Sequence, residues 1–385
     1  MVRVFGRKRV VILGGGPGGT MVANHLARRF NGSLTGDRVE IVQITACTKH
    51  TYQPGFLFVA LGDAPLEHFE RDQASLLLPG IRLVVDPAES IDPQAGHVIT
   101  ESGAVYAYDY LIIATGSYPD PSAVPGLAQG ALGFYTAEDA VRLREALGRF
   151  EKGRIVLTVD VPHKCPVAPL EMVLSLDAYF RRMGRRHDVE LVYTYPINRV
   201  HSLPQVAEWA QAEFERREIR WETFFNVDRV DPEQRVVYSA EGGEYPYDLL
   251  ISVPPHRGAP VVAASGLGDE QGFVPTDRYT LRGAGLENVY VVGDATNLPV
   301  SKAGSTAHYE ADIVADNVAA AIAGEPALRR YDGKVFCFIE AGDDRGTYIE
   351  FSYTRPPRPA PASVMLHQFK MAYNEMYWLS ARGVL

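Results

Sequence analysis

Apolar residues along this chain come in short runs closed by glycine or proline and separated by stretches with helical spacing, the alternation from which parallel α/β sheets are built. Residues 9–13, Arg-Val-Val-Ile-Leu, form the first run. It breaks into Gly14-Gly-Gly16-Pro-Gly-Gly19 and then into a helical pattern over 21–30. A second run, 39–44, follows a connection over 31–38, so the opening unit reads strand, glycine turn, helix, strand with a right-handed crossover. Residues 81–86 and 97–100 read as strands around the turn composition Asp92-Pro-Gln-Ala-Gly96. Tyr52-Gln-Pro-Gly-Phe-Leu-Phe-Val-Ala-Leu-Gly62 opens a helix. Buried-strand runs at 108–116 and 288–294 both end in small-residue turns. Between them a second set is predicted: strands over 154–159, 188–194 and 247–253, and helices over 169–183 and 206–217.

The glycine turn carries chemistry because of its context. After a strand and before a helix, Gly14 allows the tight turn, Gly16 lets backbone amides reach a pyrophosphate, and Gly19 lets the helix pack on the strand, with Pro17 and Gly18 opening the helix. The acidic residue that grips an adenosine ribose in such sites is missing. Positions 43–48 read Gln-Ile-Thr-Ala-Cys-Thr, leaving Gln43 or Thr45 as neutral candidates. Thr115 and Gly116 close the strand at 108–116. Gly293 permits close backbone approach after the strand at 288–294, and Asp294 offers a carboxylate to a ribityl or ribose hydroxyl.

In the second set the turn after the first strand is Asp160-Val-Pro-His-Lys-Cys-Pro-Val-Ala-Pro169, with three prolines and no glycine. Such a turn cannot bring backbone onto a pyrophosphate, so NADH binding in the usual mode is not expected. Cys165 stands there instead.

Composition narrows the class. The 385 residues, 46% hydrophobic, suffice for two cores. A formal charge of −9 with scattered basic residues argues against nucleic acid. No run approaches the ~18 apolar residues of a membrane span, and the N-terminus shows no apolar leader segment, so the protein is expected to remain inside the cell. Cys47, Cys165 and Cys337 are too few and too far apart for a disulfide scaffold or a metal knuckle.

The order GxGxxG, then Tyr108-Asp-Tyr-Leu-Ile-Ile-Ala-Thr-Gly116, then Val-Gly-Asp294-Ala resembles the two-dinucleotide-domain flavoproteins of glutathione reductase type. With Lys164-Cys-Pro-Val-Ala-Pro-Leu-Glu171, Gly333-Lys-Val-Phe-Cys-Phe-Ile-Glu340 and the closing Met371-Ala-Tyr-Asn-Glu-Met-Tyr-Trp378, the chain resembles the sulfide:quinone oxidoreductase family and the related flavin subunit of flavocytochrome c sulfide dehydrogenase. The resemblance implies an α/β fold of two Rossmann-like domains: a first FAD part over 1–122, a second domain over 123–256 lacking the nicotinamide loop, a second FAD part over 257–325, and a C-terminal segment over 326–385 with a candidate membrane-interface helix.

It further implies FAD, held noncovalently because no cysteine follows the Ala-Thr-Gly turn, and Cys165 and Cys337 as redox cysteines at which hydrosulfide opens a sulfur bridge. Glu171 is the implied acid-base group; alternatively it only favours the dipole of the helix it opens. Lys302 would add a cation near the flavin. Lys164 and Lys302 are candidates for depressing a thiol pKa, and Lys164 reads equally as a surface charge. Cys47 is a bystander, and His308 either relays protons or packs in its helix.

Over 361–385 charges are few, and Met365, Leu366, Phe369, Met376, Tyr377 and Leu379 are expected on one side of a helix. That side could rest on a membrane surface or dock on the core or on a second copy in a homo-oligomer. Phe336, Phe338, Phe369 and Tyr373 are candidate walls of a pocket for a membrane quinone. The resulting expectation is a peripheral membrane enzyme on the cytoplasmic side that oxidises hydrosulfide and reduces quinone. The alternatives are a cytochrome-linked subunit, a type II NADH:quinone reductase and a noncatalytic flavin protein.

Overall fold

Strand β1 (Lys8–Leu13) is apolar on both faces because it lies in the middle of a sheet covered on both sides, with Val10, Val11 and Ile12 fully buried. The computed structural model describes residues 7–30, 39–326 and 329–384, so the predicted connection over 31–38 and the final Leu385 lie outside the described residues. After β1 come α1 (Pro17–Arg29), β2 (Val39–Thr45), β3 (Ile81–Val85) and β4 (Tyr110–Ile113). Helix α1 starts four residues before the apolar pattern does. Gly18 and Gly19 already lie in its first turn behind Pro17, whose fixed φ suits that position.

The chain then leaves this sheet and builds another from β5 (Gly153–Val159), α2 (Ala168–Arg182), β6 (Val189–Tyr195), α3 (Pro204–Arg216), β7 (Arg220–Thr223) and β8 (Leu249–Val253). It returns with β9 (Val289–Val291) and α4 (Gly304–Ala323). The first sheet has the order β9-β4-β1-β2-β3 and the second β7-β6-β5-β8; both are parallel throughout. Departure and return run side by side as an antiparallel pair, Ser117–Pro119 against His256–Gly258.

The remaining chain closes over both sheets. Strands β10 (Val335–Glu340) and β11 (Gly346–Phe351) form an antiparallel hairpin, followed by helix α5 (Val364–Ala381), whose Ser363 cap accepts a hydrogen bond from the Leu366 amide. The hairpin packs on α2 and α4, and α5 packs on the hairpin and α1. The C-terminal ends of β1, β4, β5 and β9 therefore open toward one region, where binding sites of open α/β sheets lie.

One contact sets the helix-to-strand distance in the first unit. A Cβ on Gly19 would stand 2.1 Å from the carbonyl oxygen of Gly14. Gly19→Ala is therefore expected to destabilise the protein by roughly 1–3 kcal/mol, the usual cost of overpacking, as read by urea denaturation.

Candidate functional site

The glycine turn folds as a cradle. Gly14 sits at φ +115°, where a side chain would be strained and a Cβ would meet the Ala114 carbonyl oxygen at 2.2 Å. A Cβ on Gly16, by contrast, would meet nothing within 4 Å, because this residue faces open space at the start of α1. Gly18 lies against Val292, beside β9. Neither α1 nor α4 has a side-chain cap, so the first-turn amides of two long helices are free to meet negative charge.

Between these helix ends lie the other predicted cofactor residues. The Thr115 hydroxyl is buried without a partner, and Gly116 follows at φ +71°. Gly293 donates its amide to Glu310 Oε2 at 2.6 Å; burial raises the Glu310 pKa to about 8. Asp294 Oδ2 accepts from the Ser117 hydroxyl at 3.3 Å, which brings the ends of β4 and β9 together. Lys302 Nζ donates to the Asp294 carbonyl at 3.0 Å and lies 3.9 Å from the Phe273 ring centroid, where burial lowers its pKa against the opposing pull of Asp294. An open cradle, an orphaned hydroxyl, a carboxylate and a half-buried cation arranged between two uncapped helices fit an extended dinucleotide such as FAD.

The structure gives Gln43 a different task from the one expected. Its side chain is fully buried, with Nε2 donating to the Gly14 carbonyl at 3.0 Å and Oε1 accepting from Gln73 Nε2 at 2.8 Å. Gln73 Oε1 bonds His50 Nδ1 at 3.0 Å, and His50 Nε2 bonds the Tyr377 hydroxyl. A continuous buried chain thus runs from the glycine turn to α5, and Gln43, held within it with no exposed surface, presents nothing to a ribose. Thr45 is also buried and bonds the Cys47 carbonyl at 3.3 Å. Cys47 itself is exposed.

Cys165 lies three residues before α2, at φ +48°, in a left-handed conformation that costs a non-glycine residue on the order of 1–3 kcal/mol. The loop holds it there. The Cys165 amide donates to the Lys302 carbonyl at 2.6 Å, and its own carbonyl accepts from the Tyr135 hydroxyl at 3.2 Å. The nicotinamide loop's replacement is thereby tied to the start of α4 in the other unit. Lys164 is no surface charge: it is buried, and its Nζ donates to the Ser117 carbonyl at 3.4 Å.

Cys337 comes to the same place on β10. Alternation puts Cys337 on one face of the strand with Val335 and Ile339, and Phe336, Phe338 and Glu340 on the other. Both cysteines are free thiols, close enough that the charge of Cys337 helps raise the pKa of Cys165.

Burial first, and then the nearby Glu171 carboxylate, push both thiols up, Cys337 to about 12. This overturns the expectation of a thiol depressed by Lys164 or Lys302. Lys370, which sequence reasoning missed, is the cation that opposes the rise at both sulfurs. It pairs with Glu171 Oε1, which also accepts the Glu340 amide at 2.7 Å. The only sequence signal for it was a lone charge between Phe369 and Met371.

Three of the four proposed wall residues come together. Phe336 and Phe338 stand edge to face with centroids 4.9 Å apart, and Tyr373 lies 5.6 Å from Phe338. Tyr348, not anticipated, stacks on Phe336 at 5.6 Å. Phe369 is not among them; it points outward and is 53% exposed. Helix α5 as a whole is turned with polar residues inward. Lys370, Asn374 and Tyr377 are buried, while Met365, Phe369, Tyr373, Met376 and Leu379 form an exposed stripe. Tyr377, expected on the apolar side, faces in. Among the described residues no helix is long and apolar enough to cross a membrane, and no group of side chains is set to hold a metal ion.

Comparison with known proteins adds the following. Residues 8–158 match the family model described as pyridine nucleotide-disulphide oxidoreductase. The mitochondrial sulfide:quinone oxidoreductase of Mus musculus is 28% identical over 360 residues, which cover 90% of this chain and 79% of that protein. The sulfide-quinone reductase of Aquifex aeolicus is 26% identical over 411 residues, 98% of this chain and 91% of the relative. The crystal structure of the Aquifex aeolicus sulfide:quinone oxidoreductase superposes with a TM-score of 0.88 at 24% identity, covering 98% of this chain and 92% of that one, so the two share a fold.

Because the Glu171 carboxylate disfavours both thiolates, Glu171→Gln is expected to lower both thiol pKa values. Iodoacetamide labelling of Cys165 and Cys337 in the reduced protein at pH 9 should quicken, because a thiol that ionises one pH unit lower carries about ten times more thiolate there. Peptide mass spectrometry after timed quenching reads each cysteine separately.

Proposed function

We propose that this chain, which is similar to sulfide:quinone oxidoreductases over nine-tenths of its length, is an FAD-dependent enzyme that oxidises hydrosulfide and passes the electrons to a quinone. The observation that carries this reading is the cysteine loop. A left-handed Cys165, in the turn after β5 where a nicotinamide loop is expected and anchored by its amide to the start of α4, lies within the electrostatic reach of Cys337, 172 positions later, and of a buried carboxylate that acts on both thiols. Two thiols that can close a sulfur bridge beside a flavin are what a donor such as HS⁻ requires, since hydrosulfide attack on a disulfide bridge yields a persulfide on one sulfur and a thiolate on the other. When bound, FAD would accept the electron pair.

In this reading Gly14, Gly16, Pro17, Gly18 and Gly19 receive the pyrophosphate, while Thr115, Gly116, Gly293, Asp294 and Lys302 surround the rest of the cofactor. Cys165 and Cys337 carry the sulfur, with Glu171 as their acid-base partner. Phe336, Phe338 and Tyr373, joined by Tyr348, wall the quinone; the outward Phe369 joins the stripe on α5. That stripe, with Met365 62% exposed, would rest on a membrane surface and bring a lipid-soluble acceptor to the aromatic wall.

Anaerobic absorbance tests the reading. Sulfide is expected to bleach the yellow protein and decylubiquinone to restore its colour, whereas bleaching by NADH would favour a pyridine-nucleotide dehydrogenase. Cys165→Ser and Cys337→Ser should each abolish sulfide bleaching nearly completely while FAD stays bound. Vesicle flotation tests the surface: the paired change Met365→Asp and Phe369→Asp should weaken binding at least about tenfold, since each apolar side chain contributes about 1.5–3 kcal/mol when buried.

A further inference from the structure

Beyond Glu171 the buried charges continue. Lys370 Nζ pairs with Glu171 Oε1 and stands 3.8 Å from Glu340 Oε2; both Glu340 oxygens contact His367 Nδ1, at 3.0 and 3.1 Å. The four side chains come from three elements, α2, β10 and α5. Exposure rises only at the far end: Glu171, Lys370 and Glu340 side chains retain 9, 7 and 7%, and His367 retains 14%. The sequence therefore runs from the two thiols to the edge of the molecule beneath α5.

Its charge is one proton short of neutrality. Two carboxylates and one ammonium leave a net charge of −1 while His367 is neutral, and a buried excess charge is costly enough that the group readily holds one more proton. The charged groups facing Glu340 are Lys370 and His367 from α5 and Glu171 from α2, and burial raises its pKa despite the first two.

The proposed chemistry generates a proton where this chain begins. Hydrosulfide opening the bridge gives HS⁻ + RS–SR′ → RS–SH + R′S⁻. Closing it again with one more sulfur gives RS–SH + R′S⁻ → RS–S–SR′ + H⁺ + 2e⁻, the electron pair passing through the flavin to the quinone. The S–H bond breaks among buried groups, and its proton has to leave. We propose that Lys370, Glu340 and His367 form the exit for this proton, receiving it from Glu171 and releasing it to solvent beside α5. Lys370 Nζ, paired with Glu171 and 3.8 Å from Glu340 Oε2, delivers a proton to Glu340 by a swing of its side chain into hydrogen-bond range and regains one from Glu171, and His367 collects the proton from Glu340.

This inference rests on the sulfide reading, and anaerobic stopped-flow of the FAD-loaded enzyme with sulfide separates the two. In His367→Ala the rate of flavin bleaching should fall about a hundredfold, the typical loss when a proton-transfer group is removed. Imidazole and its methylated derivatives should restore it in the order of their base strengths, a pattern that a packing defect does not produce. Glu340→Gln, which keeps the shape and a hydrogen bond to His367, should fall similarly and not recover with imidazole. Bleaching within twofold of the unchanged enzyme in both variants, or a loss in His367→Ala indifferent to added bases, overturns the exit while leaving the sulfide reading intact. Failure of sulfide to bleach the unchanged enzyme overturns both.

Discussion

The buried pair of Glu171 and Lys370 is the joint on which the site turns. Removing two charges from water costs several kcal/mol per ion unless each finds its partner and further hydrogen bonds. Here the partner of a carboxylate in the loop-helix of the second unit is an ammonium on the last helix, and the same carboxylate oxygen also accepts a backbone amide of the strand that carries Cys337. Loop, strand and helix are thus fixed to one another at a single oxygen. Both thiols lie within its field, so the same interaction that positions the sulfur groups also sets how reluctantly they ionise.

Strand alternation divides the chemistry around that joint. Cys337 and its aromatic neighbours on either side cannot share a face, so β10 has sulfur on one side and Phe336 and Phe338 on the other. In the proposed reading a small anionic donor and an apolar acceptor require different surroundings, and one strand would present both. The lowered pKa of half-buried Lys302 just before α4 and the raised one of Glu310 in its second turn show the same economy around the cofactor cradle.

What was legible in the sequence follows from locality. Parallel strands buried on both faces announce themselves as apolar runs, and the glycine turn by spacing, because the main reason lies within a few residues: Gly19 must clear Gly14. Cys165 was legible as a substitution in a loop, but its left-handed backbone was not, since that depends on the Lys302 carbonyl and the Tyr135 hydroxyl. Gln43 read as a ribose ligand because Gln73, which claims it, lies 30 positions away. Lys370 and Tyr377 were misjudged together. Helical periodicity locates a polar and an apolar side, and only the buried partners on distant elements decide which of them faces in.

That inward polar side ties α5 to α1 and to the segment that follows β2. Asn24 donates to the Ala381 carbonyl, His50 bonds the Tyr377 hydroxyl, and the Tyr52 hydroxyl donates to Asn374, contacts separated by 357, 327 and 322 positions. During synthesis Asn24, His50 and Tyr52 emerge from the ribosome hundreds of residues before these partners exist, and domains generally begin to fold as they emerge. Their polar groups must remain hydrated until the last helix arrives. The buried hydrogen-bond chain that reaches the cradle through Gln43 can close only then, when Tyr377 joins it.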